Sequence, residues 1–549
     1  MSYLKSIGTA VIYVGLFLAV ITFMPGLPPE TDFQEYSFVS PRDLDSKLGP
    51  KNLTGIEKLF ENKIFGPEDF ASYNGQIYTG VHGGYVMRIE ENHLVPVVKF
   101  GKHCAGIWQE QICGRPLGMR FDKKGNLYVV DTYYGIFKVD IATRKYKNIV
   151  NISKPIDGKV PKLPNSLDIA DNGDFYWTDS STDVQINDLV LAMLLNPTGR
   201  LIHYNAAKQE NKVLMKDLGF ANGVVLSDDE SYVLVAETMK SRIVKYNLKG
   251  PKAGKQEIFI EGLPGVPDNL VSDGHGGILV TMILTIDSEH PNLCQSLAPH
   301  PYLRKMFVRL LLAMRLPFKL LHDIYPNTYT EKVIHAIGSF QGIGKLVTPT
   351  YVSLVLRIDA SGKIIEAVSS VDDGISSVHL HKDYLWFGSP WQSFLLRVPV
   401  KQVFPSLASQ TRSEKQSQKQ STTSSNNKSE KVKRDTASTT TKPIESKKTS
   451  SQTTPKPTAA PTTTPKPTAA PTTTKPPPTT TPKPTTATPK PSPKVDKPTT
   501  DSENVKPETK SVNNDAKKSN AKKVDNVNAQ KSQPEKVEHK KTTRPRDDL

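Results

Sequence analysis

The chain has 549 residues, a mean hydropathy of −0.41 and a formal net charge of +16. The charge is segregated: residues 405–549 hold 29 Lys and Arg against 14 Asp and Glu, a net +15, which leaves +1 for the first 404 residues. A basic tail with no aromatic residue among its charges is a solvated, self-repelling segment, so nucleic acid is not expected as a partner, and the remaining body of about 350 residues can bury the core of one large domain.

Ile7 to Met24 is a run of 18 residues without a charge, long enough to cross a bilayer. Lys5 precedes it, and Glu30, Asp32 and Glu35 follow. That bias puts the N-terminus in the cytosol and the body in the lumen or outside the cell. No small-x-small cleavage site precedes Met24-Pro25-Gly26, so an uncleaved signal anchor is expected rather than a removed signal peptide. The expected organisation is a cytosolic stub and transmembrane anchor at 1–30, a linker at 31–52, a globular domain at 53–402 and a tail at 403–549. Asn52, Asn151 and Asn427 each open an Asn-x-Ser/Thr triplet and are candidate glycosylation sites on that side of the membrane. Cys104 and Cys113 lie nine positions apart in a Gly-containing loop and are expected to pair in an oxidising compartment. Cys294 is left over, and no CxxC pattern suggests zinc.

The globular domain carries an imperfect repeat of a short apolar strand, a polar turn and a second strand. It is read at 66–80, 115–131, 164–179, 221–237, 267–282 and 375–389. Asn74-Gly75, Lys124-Gly125, Asn172-Gly173 and Gly276-Gly277 are hairpin signals between alternating strands. Six such units predict an all-β, six-bladed β-propeller with four strands per blade. The last interval is about twice the others and contains an insertion at about 285–350, within which 302–325 has helical periodicity with Arg304, Lys305, Arg309, Arg315 and Lys319 on a basic face; it reads either as a helical lid packed on the propeller or as a helix lying in the membrane interface beside the anchor. Beyond Phe404 the chain is disordered by composition, and TTPKPTAAPT occurs twice in succession at 453–472. Dense Thr with Pro is the composition of O-glycosylated mucin stalks.

One phase of the repeat, the start of the first strand, is polar in four units: Glu68, Asn165, Asn222, and Asp268 followed by Asn269. Singly, Asn222-Gly223 reads as a turn dipeptide. In a propeller, however, equivalent positions converge on the axis, where unpaired polar groups are costly. Two carboxylates and three amides there make a Ca2+ site, since calcium takes six to eight oxygens.

The stretches 113–140 and 222–254 resemble the signature of strictosidine synthase-like proteins, and 265–277 and 377–389 resemble the adipocyte plasma membrane-associated branch of that family. The resemblance covers about residues 50 to 400, and the anchor with its Thr/Pro tail is similar to mucin-tailed members of the branch. It implies the six-bladed fold shared with paraoxonases and gluconolactonase-like proteins. In those proteins a Glu, Asn, Asn, Asp and Asn hold a catalytic calcium, and Glu68, Asn165, Asn222, Asp268 and Asn269 fall on those positions. Two departures follow from the same comparison. Strictosidine synthase carries a catalytic Glu on its last blade, whereas 375–382 reads ISSVHLHK without a carboxylate, so strictosidine formation is not expected. Paraoxonases use a histidine pair on the second blade, whereas the matching stretches here, Arg115 to Gly118 and Val130 to Thr132, contain none.

The expected function is a calcium-dependent esterase or lactonase of the arylesterase type, acting on a small ester or lactone. Calcium would polarise the carbonyl, Asp268 would orient or deprotonate a water, and His379 or His381, on one face of the last unit's first strand, would supply a base. The alternative is a non-catalytic cell-surface mucin whose propeller is calcium-stabilised and whose O-glycans bind lectins, microbial surfaces or matrix.

Overall fold

Among the residues described by the computed structural model, 2–42, 51–53, 55–286, 292–344, 352–369 and 374–410, the chain forms six sheets in sequence order. Blade one is Phe70–Tyr73, Gln76–Val81, Tyr85–Ile89 and Leu94–Lys99. Blade two is Pro116–Phe121, Asn126–Asp131, Gly135–Asp140 and Lys145–Val150. Blade three is Pro164–Ile169, Phe175–Asp179, Gly199–Asn205 and Glu210–Leu218. Blade four is Ala221–Leu226, Tyr232–Glu237, Arg242–Asn247 and Gln256–Glu261. Blade five is Gly265–Ser272, Ile278–Thr285, Leu354–Ile358 and Ile364–Ser369, with Lys51–Asn52 added in parallel at its edge. Blade six is Ser377–His381, Tyr384–Gly388 and Leu395–Pro399, completed by Glu57–Leu59 from the N-terminal side.

The local cause is legible in the hairpins. Asn74 and Gly75 adopt φ of 48° and 74° between the paired residues Tyr73 and Gln76. A two-residue turn with both central φ positive matches the twist of the strands it joins. The first strands of successive blades lie side by side, and that of blade six returns against blade one, closing the ring. Between every two neighbouring blades lies an apolar layer, such as Tyr78 and Val86 against Leu127 and Val129, or Tyr128 and Val130 against Phe175 and Trp177. The strand Glu57–Leu59 latches the ring, with Arg397 Nη2 2.7 Å from Glu57 Oε2. The packed region runs past residue 402: Phe404 and Leu407 are fully buried in the layer between blades five and six.

The helices lie outside the blades. Helix α1 is Ser2–Phe23, α2 is Glu110–Cys113 and α3 is Leu189–Leu194. The insertion, which leaves blade five after Thr285, contains α4 (Leu293–Leu297), α5 (Pro301–Ile324) and α6 (Thr328–Gly338). Within α1, Tyr3–Phe23 is long and apolar enough to cross a membrane. Cys104 and Cys113 are bonded, with their Cα atoms 5.5 Å apart, and Cys294 is free and buried. Asn151 is exposed, as a glycosylation acceptor must be, whereas Asn427 lies outside the described residues.

Candidate functional site

The polar phase of the repeat is produced by β-bulges. Register shifts between Pro164 and Leu167 in blade three, Ala221 and Val224 in blade four, and Pro267 and Leu270 in blade five. A bulge releases its residues from the ladder and re-aims their side chains. Those released are Asn165, Asn222, and Asp268 with Asn269. Blade two bulges at the same place, between Pro116 and Met119, but there the residues are Leu117 and Gly118, which bring no side-chain oxygen. Blade six pairs regularly from Ser377 to His381. In blade one, Glu68 stands just before the first strand, its N–H donating to the Gly80 carbonyl at 3.2 Å. Asn222-Gly223 is therefore part of a strand and not a turn. A Cβ on Gly223 would stand 2.4 Å from the Leu270 nitrogen and 2.7 Å from the Asp268 carbonyl oxygen, so glycine is what lets blade four approach blade five here.

Glu68, Asn165, Asn222, Asp268 and Asn269 are all buried. Their amide nitrogens are engaged: Asn165 Nδ2 donates to Ser180 Oγ at 3.1 Å and Asn269 Nδ2 to Glu68 Oε1 at 2.7 Å. The oxygens Glu68 Oε2, Asn165 Oδ1 and Asn222 Oδ1 are buried without a protein partner. Burial, followed by the charges of Asp69 and Asp268, pushes the Glu68 carboxyl up to about 8. Burial likewise pushes Asp268 up to about 7, opposed by a hydrogen bond from Asn222. Orphaned buried acceptors beside two carboxylates are unfavourable unless a cation joins them. An all-oxygen donor set of this kind suits calcium, and these residues fit that ion. Among the described residues no three His, Cys, Asp or Glu side chains converge as a metal site; this set depends on amide oxygens.

Glu68, Asn165, Asn222 and Asp268 border a cleft of about 740 Å³. Asn269 is not among its walls and stands behind Glu68 as a hydrogen-bond donor. An adjoining apolar pocket of about 630 Å³ shares Asn222 and Asp268 and is walled by Met193, Phe220, Met239 and Trp391. The insertion contributes to both: His335, Ser339 and Phe340 to the cleft, and Cys294, Gln295 and Phe340 to the apolar pocket.

His379 and His381, the residues expected to supply a base, stand apart from the cleft. The first strand of blade six runs away from the end of the channel that holds Glu68, Asn165, Asn222 and Asp268, so His379 and His381 lie further along it than Ser377 and line neither pocket. His379 Nε2 lies 3.0 Å from Ser72 Oγ, and burial, with Arg120 and His381, pushes its imidazole down to about 3. His381 opens on a separate groove with Lys382 and Tyr384. The cleft instead holds His82, Glu110, Arg115 and His335. His82 follows the second strand of blade one, its Nδ1 against Glu110 Oε1 and its Nε2 3.0 Å from the Pro390 carbonyl oxygen. Arg115 Nε is 3.6 Å from the same Glu110 oxygen. Burial and then Arg115 lower the His82 imidazole, against the upward pull of Glu110. For Glu110, burial is the largest influence and acts upward, but His82 and Arg115 outweigh it and hold the carboxyl below its ordinary range. The sequence signal missed was the pairing of a histidine just after the second strand of one blade with a carboxylate inside the disulfide-closed loop before the next.

Nearer the middle of the channel, Arg120 forms an internal cation. Its Nη1 lies 3.0 Å from Asp69 Oδ2, its Nε 3.9 Å from Asp168 Oδ1, and its Nη2 donates to the Leu270 carbonyl at 3.1 Å.

A closed six-bladed ring with an oxygen-rich constellation at one end of its channel defines the class of this protein. Residues 165–251 match the strictosidine synthase family and residues 51–89 the strictosidine synthase-like N-terminal family. The chain is 41% identical over 394 residues to the adipocyte plasma membrane-associated protein Hemomucin of Drosophila melanogaster, covering 70% of this chain and 68% of that one. It is 33% identical over 398 residues to the adipocyte plasma membrane-associated protein of Homo sapiens, covering 71% and 89%. It belongs to the adipocyte plasma membrane-associated protein family, within the strictosidine synthase-like proteins. Among solved structures, a gluconolactonase from Xanthomonas campestris aligns with a TM-score of 0.41 at 14% identity, covering 68% of this chain and 99% of that one.

Proposed function

We propose that this protein is a membrane-anchored, calcium-dependent ester or lactone hydrolase with its body in the lumen or outside the cell. The observation that carries the reading is the set of orphaned buried oxygens on Glu68, Asn165 and Asn222 beside Asp268, where the cleft meets the adjoining apolar pocket. Glu68, Asn165, Asn222 and Asp268 would hold the ion, with Asn269 fixing Glu68, and bound calcium would polarise the substrate carbonyl. The apolar pocket would take the hydrophobic part of the substrate. The pair His82–Glu110 would accept a proton from the attacking water and return it to the departing alkoxide as the acyl C–O bond breaks, a role the positions of His379 and His381 do not favour. Asn52, Asn151 and Asn427 would carry N-glycans and the Thr/Pro tail O-glycans.

The second reading, a non-catalytic surface mucin with a calcium-stabilised propeller that presents glycans to lectins, microbial surfaces or matrix, is favoured by that tail. A screen of aryl esters and lactones on detergent-solubilised full chain, with calcium or chelator, separates the two. Hydrolysis abolished by chelator and reduced about 10²–10⁴-fold in His82→Gln, but retained in His379→Gln, supports the hydrolase. Hydrolysis indifferent to chelator sinks it, and no turnover of any substrate alongside a calcium-dependent melting temperature favours the scaffold.

A further inference from the structure

Helix α5 has two halves with different surroundings. Its first half is bolted on two sides. Arg304 Nη1 donates to the carbonyls of Leu194 and Leu195, at 3.2 and 3.1 Å, on the blade-three side. Arg309 reaches the other way: Nη1 donates to the carbonyls of Ile21, Thr22 and Met24 at 3.0, 3.1 and 2.9 Å, and Nη2 to that of Leu27 at 2.7 Å. These are carbonyls at the end of α1 and just beyond it, which have no intrahelical donor. Arg309 thus marks where the apolar anchor helix ends, and the ring of Phe23 lies 5.5 Å from that of Tyr302 beside it.

The second half of α5 leaves both supports. Arg315 turns inward to Asp188 and His322 Nδ1 to Thr330 Oγ1, at 2.9 Å for the latter. At about 100° per residue, the outward side between those two anchors carries Leu316, Pro317, Leu320, Leu321 and Ile324 and no charge. Leu316, Leu320 and Ile324, spaced i, i+4, i+8, are 52%, 53% and 83% exposed. Lys319 and Asp323 pair at 2.7 Å on the flank. Tyr325 and Tyr329, both exposed, follow at the turn into α6. A soluble surface rarely leaves so continuous an apolar strip uncovered. A helix half with one apolar face, a lysine on its flank and tyrosines at its end has the composition of one lying in the headgroup region.

We propose that the second half of α5 lies in the surface of the same phospholipid bilayer that α1 crosses, so that the insertion is a second, peripheral membrane contact. Continuity decides the occupant: Arg309 joins α5 to the end of α1, the point at which the anchor leaves the bilayer, and the uncovered strip begins less than two turns further on. The insertion also walls both pockets, so the contact holds the roof of the cleft against lipid. The inference requires no hydrolytic activity and is tested independently of it.

The test is depth measurement on the full chain in nanodiscs of phosphatidylcholine and phosphatidylserine. An environment-sensitive fluorophore is placed on single cysteines at Leu320→Cys and, as a second site, Ile324→Cys. Tyr13→Cys in α1 marks the bilayer interior and Lys208→Cys, in an exposed turn at the far end of blade three, marks water. Cys294 is buried with its thiol pushed up to about 12, so it does not compete for label. Labels at 320 and 324 are expected to be blue-shifted and quenched by lipids brominated near the headgroup, while the label at 208 is untouched. Emission at 320 and 324 matching that at 208 overturns the proposal. So does a blue shift without lipid quenching, which would mean that a second copy of the chain covers the strip. A label at 13 left unquenched by lipids brominated deep in the acyl chains overturns the anchor and the contact together.

Discussion

At Asp268 and Glu68, two carboxyls sit in one buried space and both are pushed well above their ordinary range. A bound cation removes the reason. Asp268→Ala deletes a carboxylate of the proposed calcium site and a partner of Asn222, so the variant is expected to lose the calcium-dependent gain in melting temperature. That gain corresponds to about 2.7 kcal/mol when calcium stands at a hundred times its dissociation constant. Differential scanning calorimetry with calcium and with chelator reads it; a wild-type melting curve that chelator leaves unmoved would exclude the calcium site. His379 is a different kind of residue. Its folded pKa, about 3, lies below the ordinary 6.5, so the fold favours the neutral ring. The stability tied to that preference is present above about pH 6.5 and is lost as pH falls toward 3. His379→Gln, which can still bond Ser72, is expected to lose less melting temperature than wild type between pH 7 and pH 4.5. Equal losses would show that His379 is not the group responsible.

At the scale of the strand, the bulges turn Asn165, Asn222 and Asp268 toward the cleft, and Gly223 lets blades four and five meet. Gly223→Ala puts a methyl within 2.4 Å of backbone in blade five, where no flexible side chain can yield. Overpacking of this kind costs about 1–3 kcal/mol, and it should weaken calcium binding as well, because Asn222 and Asp268 flank the contact. Urea unfolding and calcium titration of the variant test both halves. Buried threonines stitch the same strands from behind. Thr178 Oγ1 donates to the Asn222 carbonyl at 2.6 Å and Thr238 Oγ1 to the Pro267 carbonyl at 2.8 Å. The blade-four bulge is thereby held from the second strand of blade three, and the blade-five bulge from the turn that follows the second strand of blade four. Arg120 serves the channel below them as a built-in counter-charge to Asp69 and Asp168.

Across the whole molecule, the ring is closed by chain from both ends of the domain: Glu57–Leu59 completes blade six, and Phe404 and Leu407 fill the layer between blades five and six. A chain stopped after residue 410 is expected to melt at the temperature of the full-length protein, since the sequence beyond it carries no aromatic residue and only scattered aliphatic ones. A chain stopped after residue 402 loses Phe404 and Leu407, both fully buried. Removing a buried Phe alone costs about 3–5 kcal/mol. Melting curves of the two truncations in the same detergent decide the point; equal stability would mean that the layer closes without them.

The amino-acid sequence by itself determined the blade count, the polar phase, the disulfide pair and the helical insertion. Each is a local pattern: alternation of apolar residues, a turn dipeptide such as Asn74-Gly75, two cysteines in one loop, a 3.6-residue period. Hydrophobic burial reads such patterns the same way wherever they occur. The depth of a residue along the channel is not local. His379 and His381 share a face with one another, as alternation requires, yet the strand carries them away from the end of the channel that holds Glu68, Asn165, Asn222 and Asp268. His82 and Glu110, 28 positions apart and on different elements, meet only because the second strand of blade one ends beside the disulfide-closed loop. Which of the five polar residues faces the cleft was likewise decided by the tertiary fold. Asn269 is adjacent to Asp268 in sequence, but the bulge gives the two side chains different directions, one into the cleft and one onto Glu68.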